Sequence, residues 1–289
     1  MALSAPRSVW RLGAELGEGP VWVKDALWFV DIKKRHIHRF DPGDGSTRSW
    51  DAPQEIGFLL PTRSGSFIAG LQSGLHRFDE ASGSFTLIAE VDATLPNNRL
   101  NDGVVDPLGR LWFGTMDNEE REKSGSFYSY SEGRLRPSGI SGIAITNGPA
   151  ISPEGNTLYW VDTLGGTIWK CAVAKDGGLG RSSLFARIER GEGFPDGPTV
   201  DSEGCLWISL YAGWQVRRYS PSGDLLERVE FPVANITKIA FGGSDLKTAY
   251  ATTARQKLSA DEIAPQPEIG DLFEFRVEVP GLPCPLIAD

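Results

Sequence analysis

Three histidines, three cysteines and two methionines are all that this 289-residue sequence offers of nitrogen and sulfur metal ligands. The cysteines (Cys171, Cys205, Cys284) are odd in number, far apart and without a C-x-x-C pair. Neither a disulfide framework nor a thiolate zinc site is expected from them. No apolar run approaches the ~20 residues that span a bilayer. The opening Met1-Ala2-Leu3-Ser4-Ala5-Pro6-Arg7 lacks the apolar core of a signal peptide. A cytoplasmic location without membrane contact is therefore the expectation. Basic residues are outnumbered, 29 against 38 acidic, for a formal charge of −9. That balance argues against nucleic acid, whose phosphates need a dense basic patch. The richest basic run, Lys33-Lys34-Arg35, reads as a solvated hairpin turn. Hydrolase and nucleotide signatures are missing too: there is no G-x-S-x-G elbow, H-E-x-x-H pair, P-loop or EF-hand loop. His38 and His76 both precede Arg-Phe-Asp, and that shared place reads as packing. The pair His36 and His38 has strand spacing for a metal but falls in an outer strand.

What the chain does have is turns and aromatics. Its 34 Gly and 19 Pro disfavour helix interiors, while nine Trp and 14 Phe beside Val, Leu and Ile favour strands. A turn followed by a short apolar-aromatic run occurs six times: Asp25 to Val30, Gly65 to Ala69, Gly109 to Phe113, Gly155 to Trp160, Gly204 to Ile208 and Asp245 to Tyr250. A second strand follows each, as in Ile37-His38-Arg39-Phe40 or Val216-Arg217-Arg218-Tyr219. The repeat of roughly 40 to 48 residues matches a four-stranded propeller blade. The expected fold is an all-β, six-bladed β-propeller, one domain over 1–289. The segment around Val9-Trp10-Arg11 should supply a strand that closes the ring. One helix is expected after Ser259, with Glu262 completing a capping box.

Just upstream of each repeat lies the strand that lines a propeller's central channel. Five of these strands open on Glu18-Gly19, Asp102-Gly103, Asn147-Gly148, Asp196-Gly197 and Thr237-Lys238, while the remaining blade has Gly57-Phe58. Asp-Gly and Asn-Gly make turns by themselves. Glu at the same position is not explained that way, and packed carboxylates repel unless protons or a cation intervene. An all-oxygen set favours a hard or borderline divalent ion, so a metal site in the central channel is expected.

These same phrases carry a resemblance. Leu16-Gly17-Glu18-Gly19-Pro20-Val21-Trp22, Arg99-Leu100-Asn101-Asp102-Gly103, Ile145-Thr146-Asn147-Gly148-Pro149 and Pro195-Asp196-Gly197 resemble the SMP-30/gluconolactonase/luciferin-regenerating (regucalcin-like) family. Phe113-Gly114-Thr115-Met116 and Thr252-Thr253-Ala254-Arg255 add to the match, which runs from about Leu16 to Arg255. Within that family the chain looks most like bacterial sugar lactonases acting on xylonolactone, arabinolactone or gluconolactone. The resemblance implies one divalent cation held by Glu18, Asn147 and Asp196, with calcium, manganese, zinc and iron(II) all used in the family. It implies substrate hydroxyl contacts from Arg99 and Asn101. It also implies an acidic contact after Met116; Glu119 is taken from the crowded Asp117, Glu119 and Glu120.

The expected activity is metal-assisted hydrolysis of a pentono- or hexonolactone to the aldonic acid, by a monomer. Asp196 is the candidate general base. The alternatives are a non-catalytic propeller that binds a protein or sugar at its rim, and a regulatory calcium binder.

Overall fold

The computed structural model describes residues 4–288; Met1, Ala2 and Leu3 of the opening stretch lie outside it. Six four-stranded antiparallel sheets form the blades of a propeller, as the repeats require. The innermost strands are Gly17–Val23, Ile56–Pro61, Asn98–Val105, Thr146–Ile151, Phe194–Val200 and Ile236–Gly242, in blades one to six. Each pairs with the aromatic strand of its repeat, for example Leu111–Asp117 in the third blade and Leu206–Tyr211 in the fifth. Both faces of these second strands are covered by neighbouring blades, which is why they read as apolar runs without alternation. Trp112 and Trp207 are among the largest fully buried side chains.

The ring closes as expected. Arg7–Trp10 is the outermost strand of the sixth blade and pairs with Leu272–Arg276. Ala260–Ile263 is a short helix with the Ser259/Glu262 capping box complete, inserted before that third strand. The tail after Val277 crosses the far end of the channel. It hydrogen-bonds Ser202, Leu246, Pro61, Arg63 and Gly109 in turn, through Pro280, Gly281, Ile287 and Ala288. No helix among the described residues is long and apolar enough to cross a membrane.

The histidines are packing residues. His38 is buried edge-on to Trp10, with ring centroids 5.3 Å apart, and its Nδ1 meets Ser49 Oγ at 2.7 Å. Burial pulls its pKa down to about 4, so the ring is neutral. His76 is buried with its Nδ1 3.1 Å from the Gly74 carbonyl. His36 meets Asp51 at the edge of the first blade instead.

Candidate active site

All six innermost strands carry one extra residue at the same level, a β-bulge: between Glu18 and Val21, Ile56 and Phe58, Leu100 and Gly103, Asn147 and Ala150, Pro195 and Pro198, and Ile236 and Lys238. A bulge bends its strand and re-aims side chains, and six at one level turn a ring of polar residues into the channel. Gly19 sits there at φ +56°, a left-handed conformation that suits glycine. Gly57 explains why the second blade offers no polar side chain: a Cβ would lie 2.2 Å from the Asn101 carbonyl oxygen.

A cavity of about 300 Å³ opens above the bulges, on the face where the innermost strands begin. Glu18, Asn147 and Asp196 line it together with Arg99 and Asn101, and all five are buried. Candidate residues from four separate sequence phrases are thus brought to one place. Two adjacent segments fix the approach to Glu18: buried Asp31 accepts from the backbone amides of Glu15 (2.9 Å) and Leu16 (3.1 Å). Glu18 accepts its own hydrogen bond from Gly19 N–H at 2.7 Å. Burial first, then the Asp102 charge, pushes Glu18 up to about 8. Burial, then Glu18, holds Asp196 well above the ordinary carboxylate range.

The two amides are linked. Asn101 Nδ2 donates to the Thr146 carbonyl (2.6 Å) and to Asn147 Oδ1 (3.1 Å), while Asn147 Nδ2 donates to Thr163 Oγ1 (2.9 Å). Arg99 donates to Asn101 Oδ1 at 2.6 Å and to Asn118 Oδ1 at 2.9 Å. Lys33 donates to that same Asn118 oxygen at 2.6 Å and pairs with Glu55 at 3.1 Å. Lys33 therefore differs from the solvated turn expected of it. Its turn is there, but its side chain braces the guanidinium of Arg99.

Two further expectations change. The polar ring does not act as five equivalent oxygens. Thr237 Oγ1 donates to the Gly17 carbonyl at 2.7 Å and so ties the last blade to the first. Asp102 is taken up by Lys238, whose Nζ lies 2.6 and 2.7 Å from its two oxygens. Among the described residues, no three His, Cys, Asp or Glu gather to hold an ion; the side chain that lines the cavity beside Glu18 and Asp196 is the Asn147 amide.

The loop after Met116 resolves into three roles. Asp117 Oδ2 accepts from the backbone amides of Arg121 and Glu122 and shapes the turn. Glu119 is exposed and pairs with Arg121 at 2.8 Å, away from the cavity. Glu120 is the one that lines it, at φ +61°, paired with Lys257. Of the two, Glu120 and not the chosen Glu119 faces the cavity, because neighbouring residues on a tight turn point to opposite sides and the sequence does not fix the phase. Lys257, Tyr211 and Gln256 also line the cavity and were not singled out in the sequence. Tyr211 ends the aromatic strand of the fifth blade at the position Met116 holds in the third, each four residues after the strand's Trp, a signal by which it could have been found. Leu164 and Phe194 form an exposed apolar rim.

Residues 16–255 match the SMP-30/Gluconolactonase/LRE-like region. The chain is 36% identical over 286 residues to a 6-deoxy-6-sulfogluconolactonase of Pseudomonas putida, covering 98% of each chain. It is 34% identical to an L-arabinolactonase of Azospirillum brasilense, over 92% of this chain and 90% of that one. Among solved structures it is similar to a calcium-binding protein, regucalcin, from Agrobacterium tumefaciens. The TM-score is 0.93 at 31% identity, covering 98% of this chain and 97% of that one. The chain belongs to the SMP-30/gluconolactonase/LRE-like family.

Proposed function

We propose that this family member is a metal-dependent sugar lactonase, opening a pentono- or hexonolactone to its aldonic acid. The observation that carries the reading is the pair of buried carboxylates, Glu18 and Asp196, beside the Asn147 amide at the base of a ring-sized cavity. Two like charges out of water need protons or a cation, and the ammonium nearest to them is committed to Asp102. An all-oxygen set of two carboxylates and an amide fits one hard or borderline dication, with positions left for water and substrate. Being related to named lactonases supports the same activity.

When bound, the dication supplies Lewis-acid polarisation of the lactone carbonyl. The chain's own residues do the rest. Arg99, prearranged by Asn118, presents donors to ring hydroxyls, and Asn101, whose two amide hydrogens go to Thr146 and Asn147, offers its Oδ1 as an acceptor. Glu120, from the loop of the same blade, offers a carboxylate acceptor. Asp196 accepts the proton of the attacking water.

The test is a panel of pentono- and hexonolactones turned over by chelator-stripped protein with each divalent ion added back. Full turnover without any metal would sink the reading. A calcium binder without turnover, which the regucalcin likeness favours as the second reading, would bind calcium and leave every lactone intact.

A further inference from the structure

Asp102 and Lys238 are 136 residues apart and belong to the third and sixth blades, which face each other across a six-membered ring. Their ion pair therefore crosses the channel axis. Both side chains are buried, at 2% and 8% exposure. Asp102 is anchored further by the backbone amides of Gly103 (2.7 Å) and Gly148 (3.0 Å). The Lys238 stem lies along Gly197, where a Cβ would come within 2.6 Å of it, next to Asp196. Above this crossbar is the polar cavity with Glu18, Asn147 and Asp196. Below it is an apolar one of about 360 Å³, lined by Val21, Val105, Ile151, Val200 and Ile239 and reached by the tail at Leu282.

We propose that Lys238 is a tethered counter-cation. It occupies the place another cation would take beside Asp102, confines the channel to one dication and lowers the affinity for it. Three channel carboxylates and one ammonium leave two negative charges, the number one dication neutralises. A scaffold strut would need no charge here, since an apolar pair would pack the axis without desolvating two ions. The inference rests on the metal reading above.

The experiment is calorimetric titration of stripped full-length protein with calcium, and separately with manganese. Lys238→Met removes the ammonium and keeps much of the stem. It is expected to bind the ion at least tenfold more tightly than the wild type, because a positive charge near a cation opposes it. Asp102→Asn leaves the ammonium uncompensated and is expected to bind at least tenfold more weakly. The double variant, neutral on both sides, should return to within about threefold of the wild type. Unchanged or weaker binding by Lys238→Met, or unchanged binding by Asp102→Asn, overturns the proposal while wild-type binding keeps the metal reading. No ion binding by the wild type sinks the metal reading itself. If Lys238→Met is unfolded in chelator but regains its strand spectrum with calcium, the ion has replaced the ammonium, as proposed. If both single variants stay unfolded with and without calcium, the pair is structural and the proposal fails.

Discussion

Asn101 donates its side-chain amide to Asn147 Oδ1 across 3.1 Å, joining the third and fourth blades at the cavity base. A residue read as a substrate contact thus also orients a candidate metal donor. Asn101→Ala is expected to lose both roles: a higher KM for lactone and a metal affinity lowered by a few fold. Each neutral hydrogen bond contributes about 0.5–1.5 kcal/mol. Metal titration and lactone kinetics on one preparation check this; unchanged metal affinity would free Asn147 from Asn101.

Asp196→Asn and Glu18→Gln both keep a coordinating oxygen and drop one negative charge, so both should weaken the metal. Only Asp196→Asn should stay slow at saturating metal, by about 10²–10⁴-fold in kcat, because an amide accepts no proton at neutral pH. Recovery of near-normal turnover would make Asp196 a ligand only.

Glu119 and Glu120 are neighbours with opposite outlooks. Glu120→Gln should raise KM or lower kcat/KM by about 10- to 150-fold, corresponding to the roughly 1.5–3 kcal/mol of one charged hydrogen bond. Glu119→Gln, exposed and paired only with Arg121, should leave both constants unchanged. Equal effects from the two substitutions would remove Glu120 from the substrate wall.

Metal binding should release protons near pH 7. In the metal-free fold Glu18 is raised to about 8 and Asp196 is raised as well, above the unfolded values of about 4. Raised carboxylates stabilise the fold fully below their unfolded pKa, and that contribution is lost as pH climbs towards 8. Stripped protein should therefore lose stability from about pH 5 to 8, and added dication should expel the protons and reverse the trend. Calorimetry in buffers of different ionisation enthalpy measures the release; none at pH 7 would mean the pair is already ionised.

Stability has its own test in the fifth blade. Buried Asp201 accepts from Trp207 Nε1 (2.9 Å), Arg218 Nε (2.8 Å) and the backbone of Glu203 and Cys205. Asp201→Ala strands a buried guanidinium and should cost about 3–5 kcal/mol in urea denaturation. A loss under about 1 kcal/mol would show that Glu203 and Glu227 suffice for Arg218.

The blades were legible because each repeat carries its own turn and aromatic strand, and a period survives loops of different length. Glu18, Asn147 and Asp196 were legible because they share one step of that period. Lys238 was not: the extra residue in each innermost strand leaves the neighbour of the aligned position free to face the channel, and register with Thr237 gave no hint of it. Glu120 was hidden by the reversal at a left-handed residue. The Asp–Trp clamp is plain in hindsight, since Asp106 precedes Trp112 by six residues as Asp201 precedes Trp207, with the same bond at 3.0 Å. Only the third and fifth blades have it, so the period did not announce it.

The tail that crosses the far end of the channel has a consequence for traffic. With Leu282 to Pro285 along the lower cavity and the Asp102–Lys238 bar above it, the polar cavity is a room with a single door. On the proposed lactonase reading, the ring enters and the opened acid leaves past the same Phe194, Leu164 and Lys257. On that reading arrival and departure exclude each other, and accumulating acid competes with fresh lactone for the one doorway.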